Sequence, residues 1–380
     1  MYLKNKTIVV ISSEAWGKIF ISKHNYAIAL ARRGNRVFFL NPIDLSLRRG
    51  EIKVEESGIH SDLKIVSYRP FFPFLLKFHF RKAFEVLIRW NIRKVLDTLK
   101  IRPDIVWDFN WSYLYEDLSI FRAPLRIFNP VDKLSEDTRH KKADLVISIS
   151  DEILEQYLRN DVPRLRLNHG LGGPFALAAE KAPVGRSDKN IRVGYVGNLT
   201  LDSLDKDLML GLIQQNPDVS FDLVGPVSGK DHNLGSRTGE DVAAVFAEAL
   251  QQQKNVTLRG TMAQHEVPAF MESCDILLLC YRRTPSFKCD NSHKMMEYLS
   301  SGKVVVCTNL SAYKGSDLVE MSPVDENGLL PSIFRRVVED IDKYNAPAMQ
   351  ARRKAYALQN TYDNHIGTIE SFIQANIQKA

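Results

Sequence analysis

Short apolar runs alternate with amphipathic segments through the first 170 residues. Each run is bounded by polar or glycine positions, which is typical of buried strands; the runs begin at Thr7, Arg36, Leu63, Asp104, Leu125 and Asp144. Residues 22–34 (SKHNYAIALARRG) place apolar side chains at helical spacing and end at glycine, so they predict a helix. Because strands that are apolar on both faces pack between helices, this half predicts an α/β domain with a doubly wound parallel sheet over residues 1–170.

The same alternation restarts near residue 190. Further strands are predicted from Ile191, Phe221, Asn255, Asp275 and Lys303, with helical segments between several of them. Residues 168–190 are instead rich in glycine, alanine and proline, so we predict a linker at 171–189 and a second α/β domain over 190–355. Ligands of open parallel sheets bind outside the carboxyl ends of the strands, and the site is expected there.

The last segment, residues 356–380, has the spacing of one more helix. Its apolar residues recur three and four positions apart: Ile366, Ile369, Phe372, Ile373 and Ile377. Such a stripe needs a surface to cover it, and either domain could supply one.

The stretch NSHKMMEYLSSGKVVV, residues 291–306, carries the clearest candidate chemistry. Asn291 or Ser292 can cap a helix, Lys294 falls in its first turn, and Glu297 follows on the same face. Backbone N–H groups, the helix dipole and an ammonium suit a diphosphate, while a carboxylate one turn on can accept hydrogen bonds from ribose hydroxyls. The alternative is an ordinary amphipathic helix with its charges in solvent.

The second half also resembles a known family in the order of its motifs. These are GYVGN, PDVSFDLVGP, NVTLRGT, CDILLLCY and HKMMEYLSSGKVVV, which together resemble the nucleotide-binding half of GT-B glycosyltransferases. Within that family the chain is most similar to bacterial enzymes of exopolysaccharide and cell-surface polysaccharide assembly, such as the xanthan glucuronosyltransferase. The resemblance implies two Rossmann-like domains facing across a cleft, with the final helix returning to the N-terminal domain.

The resemblance also implies a set of donor-binding residues. They are Gly197, Asn198, Arg259, Gly260, Thr261, Tyr281, Ser292, His293, Lys294 and Glu297. Lys294 would contact the diphosphate and Glu297 the ribose, in line with the physical interpretation of their helix. Gly197 could instead serve only a tight turn, and Tyr281 could only cover the core. In the first domain, Trp16, Gly17 and Lys18 would form the acceptor loop.

The catalytic base is less clearly marked. Retaining enzymes of this family often carry another glutamate eight positions before the ribose-binding one, where this chain has Cys289. This departure leaves the stereochemistry open and slightly favours inversion, which needs a base for the acceptor hydroxyl. Asp132, directly after a strand, is the first candidate, although it could also cap a helix or pair with Lys133. Glu14 and His24 are the alternatives.

The charge distribution indicates an anionic partner. Residues 1–170 carry a formal charge of +9 and residues 171–380 carry −3, which account for the net +6. The excess peaks over residues 69–100, where aromatic side chains, among them Phe78, Phe80 and Trp90, interleave with lysine and arginine. This composition favours an anionic membrane surface, although the segment could also be a helix with a basic wet side. With no visible signal peptide or spanning segment, we expect a cytoplasmic protein, peripheral on the inner face of the membrane.

No DxD triplet or metal-ligand spacing is apparent, so we expect no metal and no cofactor beyond the nucleoside-diphosphate sugar that serves as donor substrate. The function predicted from these observations is sugar transfer from that donor to a lipid-linked or polysaccharide acceptor in bacterial surface or exopolysaccharide biosynthesis. A nucleotide-sugar epimerase, or a non-catalytic nucleotide-sugar-binding partner of another enzyme, is the alternative. No nucleic-acid recognition motif is present, and no nucleic acid is expected as a partner.

Overall fold

The structure is a computed structural model that describes residues 3–17, 20–110, 114–131, 141–158, 161–183, 185, 190–227, 240–283 and 291–377. The chain divides into two compact units. Unit 1 comprises Met1–Asn168 and Tyr362–Ala380, and unit 2 comprises His169–Thr361. Both units are α/β, with parallel sheets that confirm the predicted fold class.

The strands are β1 (Thr7–Ile11), β2 (Arg36–Ile43), β3 (Ile52–Glu56), β4 (Leu63–Tyr68), β5 (Ile105–Asp108), β6 (Leu125–Phe128), β7 (Leu145–Ser148), β8 (Arg164–Arg166), β9 (Arg192–Val196), β10 (Ser220–Val224), β11 (Val256–Gly260), β12 (Ile276–Leu279), β13 (Val304–Cys307) and β14 (Glu320–Met321). The helices are α1 (Ser22–Arg32), α2 (Leu76–His79), α3 (Arg81–Leu99), α4 (Asp151–Glu155), α5 (Gly173–Ala179), α6 (Lys206–Gln215), α7 (Glu240–Gln251), α8 (Val267–Glu272), α9 (His293–Ser301), α10 (Leu330–Glu339), α11 (Ile341–Tyr344), α12 (Pro347–Gln359) and α13 (Tyr362–Asn376).

The sheet of unit 1 has the order β3-β4-β2-β1-β5-β6-β7-β8. Its strands pair in parallel except at one edge, where β3 runs antiparallel to β4. Alternate residues of β1 enter two separate cores: Val9 and Ile11 pack on the side of α3, while Ile8 and Val10 pack on the side of α1. The central strands are therefore buried on both faces, which explains their unbroken apolar runs.

The sheet of unit 2 has the order β11-β10-β9-β12-β13-β14 and is parallel throughout. Its central strands β9, β12 and β13 are short and buried. The carboxyl ends of β9, β10, β12 and β13 therefore lie at one edge of this sheet, next to the beginning of α9, which precedes β13 in the chain.

Helix α13 closes unit 1. Ile366, Ile369 and Ile373 are buried in the core that contains β1 and α1. Polar contacts hold the helix in register, because the Tyr26 hydroxyl and His365 Nδ1 lie 3.0 Å apart and Arg33 pairs with Glu370 at 3.0 Å. The boundary before α13 lies at Thr361, because α12 extends to Gln359 within unit 2 rather than ending near residue 355.

The predicted linker at 171–189 is not structureless. It contains α5, whose Pro174 occupies a first-turn position that needs no backbone donor and whose Phe175 and Ala178 are buried in unit 2. The division between the units lies earlier, between Asn168 and His169. Within the described residues, no helix combines the length and the apolar character needed to cross a membrane.

Candidate active site

Helix α9 begins at the carboxyl edge of the unit 2 sheet. Its N-cap residue, Ser292, has an extended backbone, and the helix ends at Gly302 in the left-handed conformation with φ 80°. Met295 and Met296 face the core, and the Tyr298 hydroxyl accepts a hydrogen bond of 2.7 Å from the Val196 N–H. The helix is thus fixed against the end of β9 with its N-terminus at the sheet edge.

The N-terminus of α9 has no side-chain cap among the residues that the structure describes. The Ser292 side chain does not cap the helix, because its hydroxyl shares a hydrogen bond of 2.9 Å with the Tyr281 hydroxyl instead. The first N–H groups of a helix have no intrahelical acceptors and carry the positive end of its dipole. An anion at this point would meet these donors together with the cation of Lys294.

Lys294 lies beneath this N-terminus, with only 8% of its surface exposed. Its Nζ is 5.6 Å from the centre of the Tyr195 ring and 5.8 Å from that of Tyr281. Among the described residues, no carboxylate oxygen lies within 4.0 Å of that nitrogen to form an ion pair. Burial alone would lower the pKa of Lys294, but Tyr195, Tyr281 and Glu297 outweigh it and the pKa is raised. The raised pKa favours a protonated, positively charged Lys294 at this buried position.

Gly197 lets Lys294 reach this position. A Cβ atom at residue 197 would lie 2.5 Å from the Lys294 Nζ and 2.8 Å from the Tyr195 hydroxyl. The position directly after β10 also requires glycine, since Gly225 has a φ of 136° and any Cβ there would overlap the carbonyl oxygen of Gly197. Both glycines allow the loops after β9 and β10 to lie close together beside the ammonium.

Glu297 is the second charged group of α9, one turn beyond Lys294. Burial raises the pKa of its carboxyl to about 7, and the neighbouring Lys294 cation only partly opposes that rise. Among the residues that the structure describes, its carboxylate has no hydrogen bond or ion pair. A half-buried carboxylate without such partners can accept two hydroxyl groups from a ligand.

His293 and Tyr281 complete this end of the unit. Desolvation by the surrounding protein lowers the pKa of His293 to about 3, and the Lys294 cation and His169 add to this change. Part of the His293 side chain is nevertheless accessible to solvent. The His169 and His293 rings meet edge to face, with their centres 6.1 Å apart. The backbone of Tyr281 is held on both sides, because its N–H donates to Thr308 and its carbonyl accepts from Asn327.

The remaining predicted donor residues have local partners of their own. The Asn198 carboxamide accepts hydrogen bonds from the N–H and hydroxyl of Thr200, at 2.9 and 2.8 Å. The Arg259 guanidinium donates to Asp222 in the middle of β10, at 2.8 Å, which directs it along the sheet. Gly260 has a φ of 66° with open space around it, and Thr261 is exposed.

The candidate bases of unit 1 differ in availability. Glu14 forms an ion pair with Lys23 and accepts a hydrogen bond of 2.7 Å from Ser13. His24 is buried, its Nδ1 accepts from the Ile21 N–H, and its Nε2 lies 3.3 Å from the Ala15 carbonyl oxygen. Burial lowers the pKa of His24 to about 4, although its hydrogen bond with Ala15 opposes that change. Both ring nitrogens are thus occupied by backbone groups, and His24 cannot accept a substrate proton.

The acceptor-loop candidates are partly visible. Trp16 packs on Phe39 and His24, with ring centres 5.0 and 5.5 Å away, and its backbone N–H donates to the Asn41 side-chain oxygen. Gly17 is exposed next to it. Lys18 and Asp132 lie outside the described residues, and so does Cys289.

A cavity of about 310 Å³ opens beside Glu14 in unit 1. Its walls are mostly apolar and its polar groups come from the ends of β1 and β5; it is lined by Ser13, Glu14, Pro42, Ile43, Leu45, Phe74, Asn110 and Leu114. The carboxyl edge of this sheet therefore offers a space with one charged group at its border.

The sequence analysis missed Tyr195. This tyrosine precedes Gly197 by two positions in β9, so both lie on one face of the strand, and its ring covers the Lys294 ammonium. The GYVG pattern held the signal, since an aromatic residue two positions before a glycine in a strand can border whatever approaches that glycine. In the described part of the chain, no three His, Cys, Asp or Glu side chains are grouped to hold a metal ion; the expectation of a metal-free site stays a prediction.

Comparison with known protein sequences gives a partial match. The chain matches no protein-family model. It is 28% identical over 193 residues to TuaH of Bacillus subtilis, which carries the name of a teichuronic acid biosynthesis glycosyltransferase; the match covers 50% of this chain and 43% of TuaH. The chain thus spans less than half the length of that relative.

Solved structures match over nearly the whole chain. Anabaena HepE in complex with UDP and glucose superposes with a TM-score of 0.64 at 16% identity, covering 96% of this chain and 99% of HepE. Sucrose-phosphate synthase of Thermosynechococcus elongatus gives a TM-score of 0.66 at 14% identity, covering 97% and 99%. The chain has the GT-B fold of glycosyltransferases, as the motif order predicts. The narrower resemblance to the xanthan glucuronosyltransferase stays a prediction.

Proposed function

We propose that this protein is a glycosyltransferase that moves a sugar from a nucleotide-sugar donor to a lipid-linked or polysaccharide acceptor. The observation that carries the proposal is a buried cation at a helix N-terminus: among the described residues Lys294 forms no ion pair with a carboxylate, and no side chain caps the start of α9. A buried cation without a carboxylate in contact with it is costly, and a diphosphate would offset that cost.

The same geometry supports the chemistry of the donor half. As the bond between the sugar and the nucleotide breaks, negative charge develops on the departing diphosphate. Lys294 and the first N–H groups of α9 are already oriented there and need no rearrangement to stabilise that charge. Glu297, one turn deeper, would accept hydrogen bonds from the two ribose hydroxyls and hold the nucleoside in place.

The acceptor half of the reaction belongs to unit 1 in this proposal. Asp132 remains the first candidate for the base, and inversion at the anomeric carbon the favoured outcome, because Cys289 replaces the glutamate that many retaining enzymes carry. Glu14 borders the apolar cavity at the carboxyl edge of the sheet and is the remaining alternative. An acceptor with an apolar portion would suit these walls.

Two similar proteins support the more specific parts of this proposal, the kind of product and the donor nucleotide. TuaH carries the name of a teichuronic acid biosynthesis enzyme, which favours a surface polysaccharide as the product. HepE was solved with UDP and glucose, so a uridine nucleotide is the first donor to test. We place the reaction at the cytoplasmic face of the membrane, where a lipid-linked acceptor would be presented.

The test begins with binding. Calorimetry with UDP and with UDP-glucose should detect binding to the wild type, and Lys294→Ala should weaken it by roughly 1.5 to 3 kcal/mol, the value of a charge-assisted contact. Lys254→Ala, at an exposed position of the same unit, is the matched control and should bind as the wild type does. If no nucleoside diphosphate binds, or if Lys294→Ala binds equally well, the donor site is wrong.

Product analysis then separates the function classes. Incubation with a nucleotide sugar and a membrane extract should release nucleoside diphosphate and label a lipid or polysaccharide fraction. Interconversion of the nucleotide sugar without release would identify an epimerase. Binding with neither outcome would identify a non-catalytic nucleotide-sugar-binding protein.

A further inference from the structure

The outer face of α3 differs from an ordinary wet helix face. Its inner side packs Phe84, Ile88 and Ile92 against the sheet of unit 1. On the opposite side, Val86 and Trp90 are 53% and 60% exposed, although solvated helix faces are normally polar. A helix that is apolar inside and carries large apolar side chains outside has a second surface to cover.

The chain leading into α3 extends this surface. Three large side chains lie largely in solvent: Leu75 at 65%, Phe78 at 67% and Phe80 at 65% exposure. They lie around α2 and the start of α3, so with Val86 and Trp90 five large apolar side chains are exposed within residues 75–90. We call this set of five residues the apolar face.

Basic side chains accompany the apolar face. Residues 76–99 contain six lysine or arginine residues and only two acidic ones. Some of these cations have internal roles: Arg81 pairs with Glu116 at 2.7 Å, and Lys94 donates to the Gly50 carbonyl at 2.8 Å. Lys82, Arg89 and Arg93 are exposed on α3, alternating with Val86 and Trp90, although Arg89 also lies 3.9 Å from the Asp117 carboxylate.

We propose that the apolar face docks on an anionic lipid bilayer, with Lys82, Arg89 and Arg93 at the level of the headgroups. Exposed aromatic and aliphatic side chains enter the boundary between headgroups and acyl chains, where flanking cations meet anionic lipid. Nucleic acid would use the cations but would leave Leu75 and Val86 in water. The proposal deepens the proposed function by naming the surface with which the protein would meet a lipid-linked acceptor. It rests on that function only in placing the contact at the cytoplasmic face of the membrane.

Vesicle co-sedimentation of the full chain tests the charge requirement. Wild type should pellet with vesicles of equimolar phosphatidylglycerol and phosphatidylcholine, and only weakly with phosphatidylcholine alone. Replacing Lys82, Arg89 and Arg93 by glutamine should weaken the partition to anionic vesicles on the order of a hundredfold. The matched control replaces Lys254, Arg335 and Arg352, which are exposed in unit 2, and changes the net charge equally. Equal loss in both variants, or no binding by wild type at low salt, overturns the proposal.

A second pair of variants tests the apolar requirement. Phe78→Ser with Phe80→Ser should abolish most vesicle binding, whereas Leu177→Ser with Val245→Ser, at positions 67% and 66% exposed in unit 2, should leave it intact. All four side chains are largely in solvent, so the fold should survive, which circular dichroism checks. Wild-type affinity for UDP should persist in the Phe78 and Phe80 variant, so that failure of docking is distinguished from failure of the donor site.

Tryptophan fluorescence reports the depth of contact. Trp90 should shift its emission to shorter wavelength on anionic vesicles, and the shift should disappear in Trp90→Phe. An unchanged spectrum in the presence of bound vesicles would place Trp90 outside the bilayer and overturn the docking face. A concentration-dependent dimer that the Phe78 and Phe80 variant loses, or binding of RNA in preference to vesicles, would assign the surface to a different partner.

Discussion

Gly197 and Lys294 are in direct apposition: any Cβ atom at residue 197 would come within 2.5 Å of the lysine Nζ. The two residues come from the end of β9 and the start of α9, far apart in the chain. Their packing holds the ammonium between the tyrosine rings and the glycine backbone, where it is 8% exposed. The geometry of the candidate donor site therefore depends on the absence of one side chain.

Gly197→Ala should weaken nucleotide binding without unfolding the protein. The new methyl group would displace the flexible end of Lys294 rather than backbone, so we expect a loss of roughly 1.5 to 3 kcal/mol in UDP affinity. Gly211→Ala, in α6, is the control, because its Cβ would meet only the Gln215 side chain at 3.8 Å. Calorimetry decides, and unchanged affinity in Gly197→Ala would separate Lys294 from the ligand.

Nucleotide affinity should rise with pH as Glu297 ionises. Its pKa in the free protein is raised to about 7, and hydrogen bonds from ribose hydroxyls favour the carboxylate, so binding should release a proton between about pH 6 and pH 8. The stability of the free protein should change with pH in the opposite direction. Between the ordinary pKa and the raised one, the folded state binds more protons than the unfolded state, and this group's stabilising contribution falls as pH rises.

The measurement is calorimetry in buffers of different ionisation enthalpy. Glu297→Gln should bind more weakly and lose the pH dependence. A wild-type affinity that is flat across this range would refute the role of Glu297.

Acid should destabilise unit 1 through His365. Burial lowers the pKa of His365 to about 4, so the unfolded state takes up the proton first as pH falls below about 6.5. The stability present above about pH 6.5 is therefore lost progressively toward about pH 4, at most about 3 kcal/mol for this group.

His365→Gln keeps a partner for the Tyr26 hydroxyl but does not titrate, so its urea midpoint should depend less on pH than that of the wild type. His265→Gln, at an exposed position, should retain the wild-type slope. Parallel slopes in all three proteins would show that the burial of His365 is not linked to stability.

Asp132→Asn should retain donor affinity and lower turnover on the order of a hundredfold or more, if this carboxylate takes the acceptor proton. Glu14→Gln serves as the comparison. Because Glu14 pairs with Lys23, which is only 4% exposed, its neutralisation should reduce stability as well as any turnover. Near-normal turnover in Asp132→Asn would transfer the role to Glu14, and NMR of the product determines inversion or retention independently.

The central strands of both sheets could be predicted from the sequence, because burial on both faces gives them unbroken apolar runs. Each of the eleven predicted apolar runs contains a strand, from β1 at Thr7–Ile11 to β13 at Val304–Cys307. The missed strands, β3, β8 and β14, lie at sheet edges. β3 reads IKVEE and is largely exposed, and β14 has two residues, so neither burial nor length left an apolar signal.

The sequence by itself predicted the start of α9 and the spacing of its two charges, because both are local properties of one segment, but the side-chain cap that it offered at Ser292 is absent. It could not determine the surroundings of that helix. Tyr195 covers Lys294 only because β9 and α9 meet at the same sheet edge, and Arg259 pairs with Asp222 only because β10 and β11 are neighbouring strands. Such contacts depend on strand order and register, which join residues distant in the chain, and only the tertiary structure decides them.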